Sequence, residues 1–167
     1  VGGWLAMNAG AHGGAIGDRV AAIRCLNSDG APSILTASQC GFGYRACTGL
    51  RGRTALSVRL TLTAGTAAEI ARKRAACRGR RMPLEGLRTA GSVFRNPDGD
   101  FAGRLLEAAG CKAMRVGGAA VFAGHANVIV AERGATASDV LVLMELMRRA
   151  VKSRSGVDLE PEIRIVR

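Results

Sequence analysis

The chain has 167 residues, 48% of them apolar, and a formal net charge of +11. That length suits one ordinary domain, or one domain with part of another, and no uncharged apolar run approaches the roughly 20 residues a membrane span needs. So positive a charge invites a nucleic-acid partner. However, 21 of the 24 cations are arginines spread through every segment, and only six aromatic side chains exist to stack on bases, which argues against one.

The opening "VGGWLAMNAG" carries neither an initiator Met nor the basic and apolar regions of a signal peptide, and reads as a chain entered midway. The first forty residues are glycine-rich and loop-like, densest at "GGWLAMNAGAHGGAIGD". Strand patterns follow at 19–26 ("RVAAIRCL") and 56–63 ("LSVRLTLT"), where Leu56, Val58, Leu60 and Leu62 alternate with more polar neighbours. Thr66 and Glu69 then form a capping box, predicting a helix to about Gly79, with "RKRAACRGRR" (72–81) as a solvated face. A second helix is expected after Asp100 as N-cap, with Phe101, Leu105 and Ala109 on one face and Gly110 closing it.

A third helix spans about 137–154, its core stripe being Val140, Leu143, Met144, Met147 and Val151, with Gly156 beyond its end. "NVIVAE" (127–132) and "EIRIV" (162–166) read as strands. Helices and strands interleave after residue 66, so the fold class is α+β, with a small α/β-layer domain over 66–167. The five cysteines (Cys25, Cys40, Cys47, Cys77, Cys111) are odd in number, widely spaced and accompanied by two histidines. No disulfide framework and no metal site is expected, and a reducing cytoplasm fits.

Polar chemistry gathers in few places. "GSVFRNPDGD" (91–100) surrounds Ser92 with turn-forming groups; alone, it reads equally as a strand end followed by a turn over Asn96–Gly99. The glycines of Asn8–Gly14 would let backbone amides approach a phosphate, although the spacing matches no phosphate-binding fingerprint and His12 by itself reads as a loop residue. Tyr44 and Arg45 in "GFGYRAC" could hold a carboxylate or phosphate, or be a surface pair. In "LEPEIRIV", period two puts Glu160 and Glu162 on one side and Leu159, Pro161, Ile163 and Ile165 on the other. The acids could line a cleft or a solvent-facing edge.

In order, "GGWLAMNAGAHGG", "FGYR", "AGSVFRNPDGDFAGRLLEAAGCKAMRVGGA", "HANVIV", "GATASDVLVLMELMRRAV" and "GVDLEPEIRIV" together resemble the UDP-N-acetylmuramate dehydrogenase family, also called UDP-N-acetylenolpyruvoylglucosamine reductases. The resemblance implies a cytoplasmic flavoprotein of bacterial cell-wall synthesis. It would use FAD and NADPH to reduce UDP-N-acetylglucosamine enolpyruvate to UDP-N-acetylmuramate, with no obligate protein partner. It implies Ser92 as proton donor to the enolate-like intermediate left by hydride transfer. Arg45 and Glu162 match the other catalytic positions, with Glu160 as the alternative acid. Tyr44, Arg95 and Asn96 match substrate-binding positions, and the loop of Asn8, Gly10, Gly13 and Gly14 lies where the flavin pyrophosphate would bind.

Cys47, Met82, Gly124 and Ala131 depart from the family's usual serine, glutamine, lysine and asparagine. The family's first flavin-binding subdomain has no counterpart here. Residues 1–65 are therefore expected to be an incomplete, C-terminal half of the FAD-binding domain, its strands short of partners, and 66–167 the substrate domain. The implied alternative to a truncated reductase is a non-catalytic remnant, or a nucleotide-sugar-binding module unable to hold FAD.

Overall fold

The computed structural model describes residues 1–81 and 84–165, so Met82 and Val166 lie outside the described residues. The architecture is α+β, with small antiparallel sheets and interspersed helices. Contacts divide the chain into two units, Val1–Cys77 and Arg78–Arg167. The division falls inside a helix rather than at the composition change near residue 66.

The first unit opens with a short helix, α1 (Gly2–Ala6), and a glycine hairpin of β1 (Gly10–Ala11) and β2 (Gly14–Ala15). Its centre is β3 (Val20–Leu26), which pairs antiparallel with β4 (Pro32–Thr36) on one edge and β7 (Thr54–Leu60) on the other. Between these lie a short helix, α2 (Ala37–Cys40), and a second hairpin, β5 (Phe42–Gly43) with β6 (Ala46–Cys47). Both strands expected to lack partners are thus paired. The two pair with each other, and β3's other edge takes β4, which the glycine-rich look of the first forty residues concealed: Ile34 and Leu35 are strand formers entered through Pro32, which is tolerated at a strand's first position on a sheet edge.

Ile23 faces Leu35 on one side and Val58 on the other, and a core of Leu5, Val20, Ile23, Cys25, Leu35, Cys40, Cys47 and Leu50 closes around it. Two register shifts along β3 break strict alternation. Consequently Ala55 and Val58 pack on the core, whereas Leu56, Leu60 and Leu62 are exposed, contrary to their apolar spacing. Burial pushes the Cys40 and Cys47 thiols up, as expected of core cysteines.

Helix α3 (Ala67–Arg81) starts where its capping box predicts. The Glu69 carboxylate accepts from Thr66 N at 3.0 Å, and the Thr66 hydroxyl accepts from Glu69 N at 3.3 Å.

The second unit contains α4 (Ala102–Ala108), β8 (Arg115–Val116), β9 (Ala119–Val121), β10 (Ile129–Ala131) and α5 (Ala137–Ser155), the three strands forming an antiparallel meander. Helix α5 buries Leu143, Met144, Met147 and Val151 and ends at a left-handed Gly156. The other helix differs from expectation: Phe101, not Asp100, is the N-cap of α4, and its ring is 68% exposed. Residues 162–165 form no strand either; only Pro161 bridges, to Phe94. A single ladder partner over so short a run leaves nothing to pair the rest.

A capping box that sequence reading passed over starts α5. The Thr136 hydroxyl accepts from Asp139 N, while the Asp139 carboxylate accepts from Thr136 N and, at 3.4 Å, from Gly118 N in the β8–β9 turn. That turn needs glycine. A Cβ on Gly118 would lie 2.6 Å from the Ala135 backbone, and one on Gly117, whose φ is +50°, would lie 2.6 Å from the Asp139 carboxylate. Gly118→Ala should therefore destabilise the second unit by about 1–3 kcal/mol, read as a lower urea midpoint. A midpoint equal to the parent's would mean that the turn yields without cost.

Candidate functional site

Two groups of residues carry the chemistry expected from the sequence, one in each unit. In the first unit they lie on two hairpins joined by Asn8. Its Nδ2 donates to Gly43 O at 3.0 Å, and its Oδ1 accepts from Gly17 N at 2.9 Å. One carboxamide thus ties the stretch following the glycine hairpin to the hairpin that carries Tyr44 and Arg45. Arg45 stacks its guanidinium carbon 5.2 Å from the Tyr44 ring centroid, a cation–π contact that holds the fork over the aromatic face.

Asn8, His12 and Arg45 all have positive φ, at 40°, 55° and 51°. Such conformations cost of order 1–3 kcal/mol each outside glycine and cluster at functional sites. Gly13, beside His12, also has positive φ, and a Cβ there would face empty space; one on Gly10 would lie 3.1 Å from Gly14 O and 3.7 Å from an Arg45 guanidinium nitrogen. Open space therefore lies beside Gly13, whereas Gly10 has the Arg45 cation nearby and Gly14 has the Asp18 carboxylate, 3.6 Å from where its Cβ would stand.

In the second unit, the stretch 92–96 is built into an irregular ladder. Val93 N donates to Asn127 O at 3.0 Å, Glu162 N to Val93 O at 2.7 Å, and Arg95 N to Glu160 O at 2.9 Å. Ser92 bridges to Val128, and Phe94 to Pro161. The ladder brings Ser92, Arg95 and Asn96 into register with Glu160 and Glu162, which belong to one end of the chain and are far away in sequence. Glu162 is half-buried and Glu160 exposed.

Ser92 and Asn96 line an open cleft of about 560 Å³. Its other walls include Phe101, Arg104, Glu107, His125 and Asn127; Arg95 and Glu162 are held by the ladder but are not part of that lining. The Asn96 side chain also accepts from Ala102 N at 3.0 Å, so it takes over the capping role that Asp100 was expected to play. Asp100 instead accepts from Phe101 N at 2.7 Å and pairs with Arg104. The turn before it closes between Pro97 O and Asp100 N, with Gly99 supplying the positive φ at its third position.

One polar atom here is unsatisfied: Arg95 Nε is buried without a hydrogen-bond partner among the described residues. A buried donor left unmatched costs about 1–3 kcal/mol, and an anionic ligand would relieve it. His125 and Asn127 carry polar chemistry that sequence reading passed over. The signal was "HAN", two polar side chains opening a run otherwise read as an apolar strand.

The model of the UDP-N-acetylenolpyruvoylglucosamine reductase C-terminal domain matches residues 82–166. A UDP-N-acetylenolpyruvoylglucosamine reductase of Anaeromyxobacter sp. (strain Fw109-5) is 48% identical over 169 residues, covering 99% of this chain and 52% of that protein. The reductase of Moorella thermoacetica is 43% identical, covering 99% and 55%. The crystal structure of UDP-N-acetylenolpyruvylglucosamine reductase from Thermus caldophilus superposes with a TM-score of 0.83 at 36% identity, covering 97% of this chain and 58% of that one. The chain spans about half the length of the curated relatives it matches.

Two aspartates at helix starts of the second unit have lowered pKa values. The Arg104 guanidinium, then the Phe101 amide, hold the Asp100 carboxyl down at about 2, and the Thr136 amide and hydroxyl hold Asp139 below the usual range. A depressed folded pKa stabilises above the ordinary aspartate value near 3.9 and is lost as pH falls through the folded value. The thermal midpoint should accordingly fall between about pH 4 and about pH 2. In Asp100→Asn the midpoint should be lower at neutral pH and its acid fall shallower; an unchanged acid profile would show that the pair does not contribute.

Proposed function

The chain belongs to the UDP-N-acetylenolpyruvoylglucosamine reductase family, and on that premise we propose that it serves the NADPH- and FAD-dependent reduction of UDP-N-acetylglucosamine enolpyruvate to UDP-N-acetylmuramate. The observation that carries this reading is the exposed Ser92 hydroxyl on the wall of the cleft, its backbone neighbours tied to the segment bearing Glu162.

The residues of the first unit fit the flavin pyrophosphate. Gly13 would offer it backbone with open space beside it, on the exposed hairpin it shares with Gly10 and Gly14, and Asn8 would fix the loop. Held there, FAD would supply hydride chemistry, relaying a hydride from NADPH to the enolpyruvyl methylene carbon. Ser92 holds the matching proton at Oγ for the adjacent carbon, so that one hydride and one proton saturate the double bond, and solvent restores the serine proton. Arg45 and Glu162 polarise the substrate carboxylate as it takes up charge. Arg95, whose buried Nε would gain a partner, and Asn96 bind near the phosphates, with Tyr44 lining the substrate's path.

A second reading is a nucleotide-sugar-binding module that does not hold FAD, for which the cleft lined by Ser92 and Asn96 within the second unit would suffice. Among the described residues no helix is long and apolar enough to cross a membrane. Incubation of the purified chain with FAD followed by gel filtration separates the readings: a reductase retains the yellow cofactor and oxidises NADPH when given substrate, whereas a binding module elutes colourless while still binding UDP.

In the flavin-loaded protein, Ser92→Ala should spare flavin reduction by NADPH and slow reoxidation by substrate by about 10²–10⁴-fold, the usual contribution of a positioned proton donor. Stopped-flow flavin absorbance separates the two halves, and equal slowing of both would refute the role. Glu162→Gln should impair turnover far more than Glu160→Gln in steady-state kinetics; the reverse order would move the acid to Glu160.

A further inference from the structure

Asn127 is the one buried polar residue among the described residues, with 3% of its surface exposed. It sits among Val93, Phe94, Ala126 and Ile129 of the apolar core, where an amide is costly unless its hydrogen bonds are made. They are made, and nearly all go to the stretch bearing Ser92. The Asn127 Oδ1 accepts from Phe94 N at 2.9 Å, and its Nδ2 donates to Phe94 O at 2.8 Å. The side chain therefore pairs with both polar groups of Phe94 as a peptide unit of a neighbouring strand would. Its own carbonyl accepts from Val93 N, and its N–H donates to His125 Nδ1 at 3.1 Å.

A side chain is needed because the local backbone is otherwise committed. Phe122 N donates to Val128 O and Val128 N to His125 O, so this segment turns away after the Ser92–Val128 bridge. With the carboxamide in place, Val93 and Phe94 have both N–H and C=O bonded, and Arg95 has its N–H bonded. Of the stretch 92–96, the residues on either side, Ser92 and Asn96, line the cleft, whose wall Asn127 also reaches.

We propose that Asn127 is a positioning residue: by standing in for a peptide group against Phe94, it holds Ser92 and Asn96 on the cleft wall in fixed register with the segment carrying Glu162. The proposal rests on reading this cleft as a nucleotide-sugar site, and UDP is the probe. Asn127→Asp keeps the acceptor for Phe94 N but, when ionised, sets an oxygen against Phe94 O. Protonation of that buried carboxyl, whose pKa burial raises, restores a donor.

UDP affinity, measured calorimetrically, should therefore fall about tenfold relative to the parent near pH 8, and the ratio of variant to parent should shrink toward one near pH 5. Exchange at the Phe94 amide should follow the same course. Met147→Ala, which removes a core side chain from α5, should lower stability yet leave UDP affinity within about twofold. If Asn127→Asp does not fold at neutral pH, Asn127→Ser gives the comparison, with the same loss and no recovery in acid. Parent-like affinity in either Asn127 variant, or an equal loss in Met147→Ala, would overturn the positioning role alone. A parent that does not bind UDP would remove the functional reading and this proposal with it.

Discussion

The second unit depends on one constraint: the backbone of Val93 and Phe94 must be satisfied from both sides without a regular strand on either. On one side the partners are the carbonyl and carboxamide of Asn127; on the other they come from Glu162 N and, one residue on, Glu160 O. Because a buried backbone group left unpaired is expensive, these bonds leave the segment a single register. Phe94 is then driven into the core beside Leu106, Met147 and Leu159, and Ser92 and Asn96 remain on the surface of the cleft. Hydrogen-bond satisfaction and hydrophobic burial thus point the same side chains the same way.

Helix α4 is attached to that segment rather than merely packed near it. Asn96 caps Ala102, and Asp100 grips both Phe101 N and Arg104, so the wall opposite Ser92 inherits its position from the ladder. His125, which lines the same cleft, lies against this helix, where a Cβ on Gly103 would sit 3.0 Å from the ring. Glycine at that place lets the imidazole approach the helix backbone closely. The cleft is therefore lined by parts whose positions trace to a few backbone bonds, which is how a small site keeps its geometry on short, irregular elements.

The first unit uses a different device. Its candidate residues sit on or beside tight hairpins, whose turns hold His12 and Arg45 at positive φ, as Asn8 is held ahead of the first, and an asparagine side chain again ties separate stretches together. The cost of these conformations is met by the sheet behind them, where β3 is paired on both edges. Rigid sheet and strained hairpin have separate tasks: one supplies stability, the other aims a guanidinium and open glycine backbone outward.

What the sequence determined by itself was local or periodic. The Thr66–Glu69 box, the stripe of α5 from Leu143 to Val151 and the left-handed Gly156 depend on neighbours within a few turns of chain, so spacing sufficed. Family resemblance carried the candidate residues, since the run around Ser92 is distinctive as a string. Only the tertiary structure decided the rest. β4 paired because β3 offered it an edge, and the bulges of β3 turned Leu56 and Leu60 outward despite their alternation. Residues 162–165 made no strand because pairing ends at the Pro161–Phe94 bridge and its Glu162 N–Val93 O bond, and Asn96 displaced Asp100 at the head of α4 because the turn over 97–100 brought its carboxamide there. Asn127 lay hidden for the same reason: an asparagine in an apolar run reads as a flaw until the backbone it satisfies, thirty-three residues away, is placed beside it. Long-range hydrogen bonds leave no periodic trace in a sequence, and in this chain they shape the site.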